Sequence, residues 1–320
     1  MRTDDIGDRY DHPMRHHADT GGLAAGTLFD ALFGDPQRGH PVAVFGSGVA
    51  ASEKVLYRDD RVRGAVFAGW WIGIGVLAGV LARRLGSAGT TAAAFSALGG
   101  TSLCRIGDEI ADALDAGDVD GARTRVAGLV GRDTTRLDEA GICRAAVESI
   151  AENTSDAAVA PLFWGAIAGA PGLLGYRAAN TLDAMVGYRS EKYLRFGWAS
   201  ARLDDAANYA PARATAALVG ALSGRPREAW IAVRRDAGQH PSPNAGVVEA
   251  AFAGALGIGL GGRTEYPHGV EDRPRLGVGP EPRAADLRAA VTLSRRVQRA
   301  SALAAVALRI IVGEGRRHLP

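Results

Sequence analysis

Lysine is almost missing from this 320-residue chain: Lys54 and Lys192 are its only two lysines among 37 basic residues, so arginine carries the positive charge. Arginine favours planar, two-pronged contacts to phosphate or carboxylate, although GC-rich coding is the plainer account of most of them. Net charge is scarce too. The 35 acidic side chains almost cancel the basic ones, leaving +2, which removes any electrostatic case for nucleic acid as a partner. Cysteine is reduced to Cys104 and Cys143, neither in a metal-ligand spacing, so reduced thiols are expected. Also lacking are a Cys/His zinc pattern, a Walker A loop, a G-x-S-x-G elbow, a secretory-signal order, an internal repeat and a convincing strand run.

What the chain does have is segregation. Mean hydropathy is −0.01, a value typical of soluble proteins, yet the charges are bunched between long uncharged runs. Gly64 to Ala82 has no ionisable side chain, carries Trp70 and Trp71 and stops at Arg83-Arg84; at about 20 apolar residues per span it reads as a transmembrane helix. Gly86 to Leu103 is uncharged and made largely of small residues, fit to be a closely packed return leg. Ala157 to Tyr176 is uncharged but broken by Pro161, Pro171 and glycines, so it either spans with a kink or enters and returns as a hairpin. The arginine-rich clusters at both its ends favour the hairpin. Ala206 to Ser223, carrying Arg213, and Val297 to Gly313, carrying Arg299 and Arg309, are further candidates. Ala250 to Gly262 is short and apolar, and Arg263 to Asp286 reads as a charged loop. The expected class is all-α: a polytopic membrane protein with about four or five embedded segments by length. Residues 1–20, with His12, His16 and His17, read as a disordered tail, and 21–320 as a single helical catalytic domain. Arginine placement puts the polar stretches on the cytoplasmic side.

The most informative polar stretch runs from Arg132-Asp133-Thr134-Thr135 to Asp156. Thr135 with Asp138 resembles a capping box, and from Ala140 the pattern is helical. At about 100° per residue, Glu148, Ser149, Glu152, Asn153 and Asp156 share roughly 140° of arc. On pattern alone the plainer reading is the solvated face of an ordinary amphipathic helix, but such a face usually alternates charge signs. This one offers three carboxylates, an amide and a hydroxyl, a set that suits hydrated Mg²⁺ and the polar edge of a substrate. A second cluster holds Asn180, Asp183, Arg202, Asp204, Asp205 and Arg213; Asp204-Asp205 is either a metal-binding pair or a helix-capping pair. Asp35 and His40, in Gly34-Asp35-Pro36 and His40-Pro41-Val42, are either cap and turn residues or part of a site. His240-Pro241-Ser242-Pro243-Asn244-Ala245-Gly246 is a rigid loop whose polar groups have fixed directions.

Taken in order, Gly34-Asp35-Pro36, His40-Pro41-Val42, Arg132-Asp133-Thr134, Glu148-Ser149-x-Ala151-Glu152-Asn153-x-x-Asp156, Pro161-Leu162-Phe163, Asn180-Thr181-Leu182-Asp183-x-Met185-Val186-Gly187-Tyr188, Ala201-Arg202-Leu203-Asp204-Asp205 and the His240 loop resemble the CobD/CbiB family of cobalamin biosynthesis. The likeness covers about residues 22–315. It implies a multi-pass enzyme of the bacterial plasma membrane with adenosylcobinamide-phosphate synthase activity. Such an enzyme joins the free propionate of a corrinoid, adenosylcobyric acid, to aminopropanol or its phosphate through an amide, with ATP and Mg²⁺. Whether copies form a homo-oligomer is left open.

Side-chain chemistry then distributes the roles. A carboxylate and an amine form a salt at neutral pH, so the acid must first be activated, and the incoming ammonium needs a base. Glu148, Glu152 and Asp156 are expected to hold Mg²⁺, Arg132 and Arg202 to carry phosphate charge, and Asp183 or Asp205 to take the amine proton. Asn153, Asn180 and Asn244 are expected to bind substrate amides, with Asp35, His40 and Arg213 as further substrate contacts. The alternative reading is a corrinoid-binding membrane carrier without ligase chemistry, which inverted repeats would support.

Overall fold

The computed structural model describes the backbone of residues 4–35, 40–266 and 269–315, and side chains from 19 to 311 apart from 36–39 and 265–271. His12, His16 and His17 lie outside the described side chains. In chain order the helices are α1 (Asp4–Phe33), α2 (Pro41–Leu56), α3 (Arg61–Arg84), α4 (Gly86–Ala97), α5 (Gly100–Asp115), α6 (Val119–Ala127), α7 (Glu139–Thr154), α8 (Ala160–Ala168), α9 (Ala170–Val186), α10 (Trp198–Leu222), α11 (Pro226–Asp236), α12 (Ala245–Leu256) and α13 (Ala284–Gly315). A π-helical turn, Ser155–Val159, joins α7 to α8, and strands β1 (Leu260–Tyr266) and β2 (Gly269–Leu276) form one antiparallel pair. The chain is thus all-α apart from that hairpin. The sequence reading of a loop over Arg263 to Asp286 is corrected here. Its strand residues are charged and include Pro274, which hides the β pattern, while Leu260 and Leu276 pair at the hairpin base and are fully buried.

Two compact units emerge, one of 1–99, 160–207 and 301–320, the other of 100–159 and 208–300. In the first, α3 starts at Asp60, whose side chain accepts from Arg63 N at 2.8 Å, and ends on Arg83 and Arg84, where positive charge complements the helix dipole. Its 24 residues, about 36 Å long at 1.5 Å each, make it the one described helix long and apolar enough to cross a membrane, and only 22% of its apolar window is buried. Glycine sets its packing: a Cβ on Gly79 would lie 2.4 Å from Pro171 Cα, so α3 and α9 approach closely. Small residues of α4 do the same with α1, where a Cβ on Gly26 would meet Ala94 Cβ at 2.5 Å. The expected return leg is shorter than its uncharged run, because the chain breaks at Leu98-Gly99 before α5 begins. The interrupted stretch 157–176 forms neither a straight span nor one kinked helix. It is the end of the π turn, then α8 and α9, joined at Gly169 with φ 69°. Asp19 is buried in this unit, paired with Arg83 and Arg309 and bonded by Thr90.

The second unit holds the largest core, with Ile110, Ile142, Ile150, Phe252 and Leu287 all fully buried. Helix α12, about 18 Å long, is too short to span a bilayer and is buried along almost its whole length. Helix α7 is capped by Asp138, which accepts from Gly141 N at 2.8 Å, and not by Thr135. Thr135 instead closes a turn on Asp133, giving it backbone N–H and hydroxyl bonds that hold the Asp133 carboxyl below its usual range.

Candidate functional site

Within the second unit, the polar face of α7 is not a solvated one. Glu148 is 7% exposed and Ser149 5%, although Glu152 faces out. Glu148 uses both oxygens: Oε2 pairs with Arg132 from the loop before α7, and Oε1 accepts the Gly261 N–H at 2.8 Å. Ser149 donates to Leu129 O at 3.1 Å and Asn153 donates to Ser149 O at 3.0 Å, which ties that loop to the helix. Asp156 sits half-buried in the π turn, an arrangement that often marks functional sites because it re-aims side chains.

Three residues with no assigned role from sequence complete this cluster. Glu249, on α12, is 7% exposed, with His240 Nε2 3.8 Å from its Oε1. Arg273, from β2, lies 3.0 Å from the same His240 nitrogen. Burial above all, then the charges of Glu148 and Glu152, push the Glu249 carboxyl well above its ordinary range, with Arg273 and Arg132 opposing. His240 is held below its usual value, first by burial and then by Arg273. Burial and the neighbouring charges thus disfavour the ionised form of both groups, the carboxylate of Glu249 and the imidazolium of His240. A lone glutamate in the otherwise apolar run AGVVEAAFAGAL was the signal for Glu249; no pattern in the sequence singles out Arg273. Beside it, Arg213 stacks 3.5 Å over the Tyr209 ring and donates to Asn244 Oδ1 at 3.2 Å, so two expected substrate contacts are neighbours.

In the first unit the expected residues again gather. His40 caps α2, its Nδ1 accepting from Val42 N at 3.2 Å, and its Nε2 lies 3.8 Å from Asp35 Oδ1. Asn180 accepts from Arg177 Nη1 at 3.4 Å and donates to Asp204 Oδ1 at 3.3 Å. Of the aspartate pair on α10, Asp204 is the buried member. Asp205 is half-buried, its carboxyl raised by burial against the opposing pull of Arg202 and Arg189. Asp183 lies at the last turn of α9, close against Gly187, and Arg202 is exposed. Arg177 has no role from sequence; it is the first charge after the uncharged 157–176 run.

Among the described residues no group of three or more His, Cys, Asp or Glu side chains is arranged to hold a metal ion. A closed protein cage is therefore not present there. Glu152, exposed, and Asp156, half-buried, have the solvent access that the other way of holding Mg²⁺ requires, by one or two carboxylates with phosphate and water completing the shell. Both thiols are buried, and burial with nearby carboxylates pushes Cys143 up to about 12, so neither supplies a nucleophile.

A family model described as CobD/Cbib protein matches residues 23–294. The cobalamin biosynthesis protein CobD of Mycobacterium tuberculosis strain H37Rv is 56% identical over 296 residues, 90% of this chain and 95% of that one. The protein of the same name from Chromobacterium violaceum is 43% identical over 303 residues, covering 91% and 97%. That of Rhodobacter capsulatus is 44% identical over 277 residues, covering 83% and 88%. No solved structure matches.

Proposed function

Because the chain belongs to the CobD/Cbib family of cobalamin biosynthesis, we propose that it is a multi-pass enzyme of the cell membrane that forms an amide. It couples the free propionate of adenosylcobyric acid to aminopropanol or its phosphate, at the expense of ATP. The observation that carries this reading is the pair of polar clusters inside the family-matched region, each mixing carboxylate, guanidinium and amide groups. Amide formation needs a base for the incoming ammonium and positive groups for phosphate charge, and the two clusters offer both.

The roles divide by unit. In the second, Arg132 carries phosphate charge as Glu148 gives up part of their pair, and Asn153 and Asn244 bind substrate amides, with Arg213 a further contact. Glu152 and Asp156, with Glu148 behind them, would hold Mg²⁺, which supplies charge neutralisation on nucleotide phosphates. In the first unit, Asp205 takes the amine proton, burial making its carboxylate a stronger base than an exposed one, and Asp183 is the second candidate for that step. Arg202 faces phosphate charge; Asn180, Asp35 and His40 contact substrate. The outward apolar face of α3 supports the membrane location.

Purified full-length protein incubated with ATP, Mg²⁺, adenosylcobyric acid and aminopropanol phosphate should give an amide whose formation requires ATP. Corrinoid binding with no product under those conditions would make the protein a carrier instead.

A further inference from the structure

We propose that His40 and Arg177 form an oxyanion site in the first unit, receiving a phosphate or carboxylate oxygen between the imidazole Nε2–H and the guanidinium Nε–H. Their hydrogen bonding points to it. His40 Nδ1 is spent as an acceptor, taking the Val42 N–H at the start of α2, so it carries no proton. Burial, and then the Arg177 charge against the opposing pull of Asp35, keeps the ring below its usual value and hence neutral. A neutral ring with a bare Nδ1 has its proton on Nε2. That Nε2 is buried and has no hydrogen-bond partner among the described residues; Asp35 Oδ1, at 3.8 Å, is beyond hydrogen-bonding reach.

Arg177 is in the same condition. Its Nε is buried without an acceptor, and its Nη1 makes only a long 3.4 Å contact to Asn180 Oδ1. Asn180 is turned in place by its own bond to Asp204, which fixes the guanidinium end. Buried donors are almost always satisfied, and a neighbouring pair lacking acceptors is the complement of an anionic oxygen. Asp35, with Oδ1 3.8 Å from His40 Nε2, is the competing negative charge. The inference rests on the ligase reading only for calling the anion a substrate group, and it refines the contact roles given there to Asp35 and His40.

The test is calorimetric titration of the detergent-purified full chain with inorganic phosphate and, separately, acetate at constant ionic strength. Wild type should bind one of them: phosphate preferred means a phosphate ester, acetate preferred means a carboxylate. Arg177→Gln should weaken that binding tenfold or more, and Asp35→Asn should tighten it by removing the competing charge. If Arg177→Gln does not fold, Arg177→Lys, which lacks the Nε–H, should show the same weakening. Wild type binding neither anion, or the Arg177 variants binding as wild type does, overturns the site. Amide formation assayed on the same preparations keeps the two ideas apart. No product from a wild type that binds the anion removes the ligase reading alone, whereas product with unaltered anion affinity in the Arg177 variants removes the site alone.

Discussion

The two units bury opposite things. The second turns its large apolar side chains inward and encloses a carboxylate–guanidinium cluster beside them, whereas the first leaves apolar side chains facing out and uses glycine to bring its helices together. Of the large apolar side chains that stand exposed among the described residues, only Tyr209, Trp230, Ile231 and Val278 belong to the second unit. In water an apolar exterior as extensive as the first unit's would be an aggregation surface. In a bilayer it is the expected one, since helix association there relies on close packing and not on expulsion of water. The two units thus differ in what they leave outside, and the proposed membrane location accounts for the difference in a way that substitution can test.

The largest effect should come from opening the enclosed ion pair. Arg132 and Glu148 have side chains 12% and 9% exposed, and Arg132→Ala leaves a buried carboxylate near Glu249 with one partner fewer. Removing one member of such a pair costs about 3–5 kcal/mol. Chemical denaturation should show the loss in the second unit, and a stability within about 0.5 kcal/mol of wild type would mean that water already reaches the pair. Next comes Leu77→Arg on the outward face of α3, where Leu77 is 57% exposed. At mid-bilayer an arginine costs about 2.5–3.5 kcal/mol, but on a water-facing surface about 0.5 or less. Normal yield and melting of Leu77→Arg in detergent and in membranes would remove the lipid-facing account of the first unit.

Glu152→Gln should separate chemistry from structure. Glu152 is exposed whereas Glu148, one turn before it, is buried, so the amide costs little stability, while turnover should fall on the order of 10²-fold, or ~2.7 kcal/mol of barrier. Turnover close to wild type in this variant would take the Mg²⁺ role from Glu152.

How much of this could be read from sequence differs between the units for a physical reason. The first unit's uncharged runs showed α3 directly, because 19 consecutive residues without an ionisable side chain leave little but a long apolar helix. The breaks at Leu98-Gly99 and Gly169 were only half visible: glycines and prolines marked an interruption, but not whether the chain bends or reverses there. In the second unit Glu148, Ser149 and Asn153 were legible as one helical face, since their spacing is local. Glu249 and Arg273 reach the same cluster from α12 and β2, more than 90 residues along the chain; the apolar run around Glu249 marks it for burial but not its partners, and nothing local marks Arg273. The hairpin escaped notice for a related reason. Its anchoring residues, Leu260 and Leu276, sit at its base, and charged side chains fill much of the rest.

The smallest effect, and the finest test of the contrast, is the response to acid. Burial holds His40 in the first unit and His240 in the second below the ordinary value of 6.5. For each, the unfolded chain binds the extra proton first, so the stability it contributes is present above about pH 6.5 and is lost as pH falls through the folded value. Glu249 runs the other way. Its raised carboxyl contributes stability that is present below the unfolded value of about 4.5 and lost as pH rises through the folded one. Acidification from pH 7 towards 5 should therefore weaken the first unit, at up to about 1.4 kcal/mol per pH unit, while in the second unit the gain at Glu249 offsets the loss at His240. Hydrogen exchange corrected for its intrinsic pH dependence would report the units separately. Glu249→Gln should abolish the offset and make the second unit as acid-sensitive as the first. Equal acid sensitivity of the two units already in wild type would mean that Glu249 is ionised in the folded protein, and that its cluster is wetter than its burial implies.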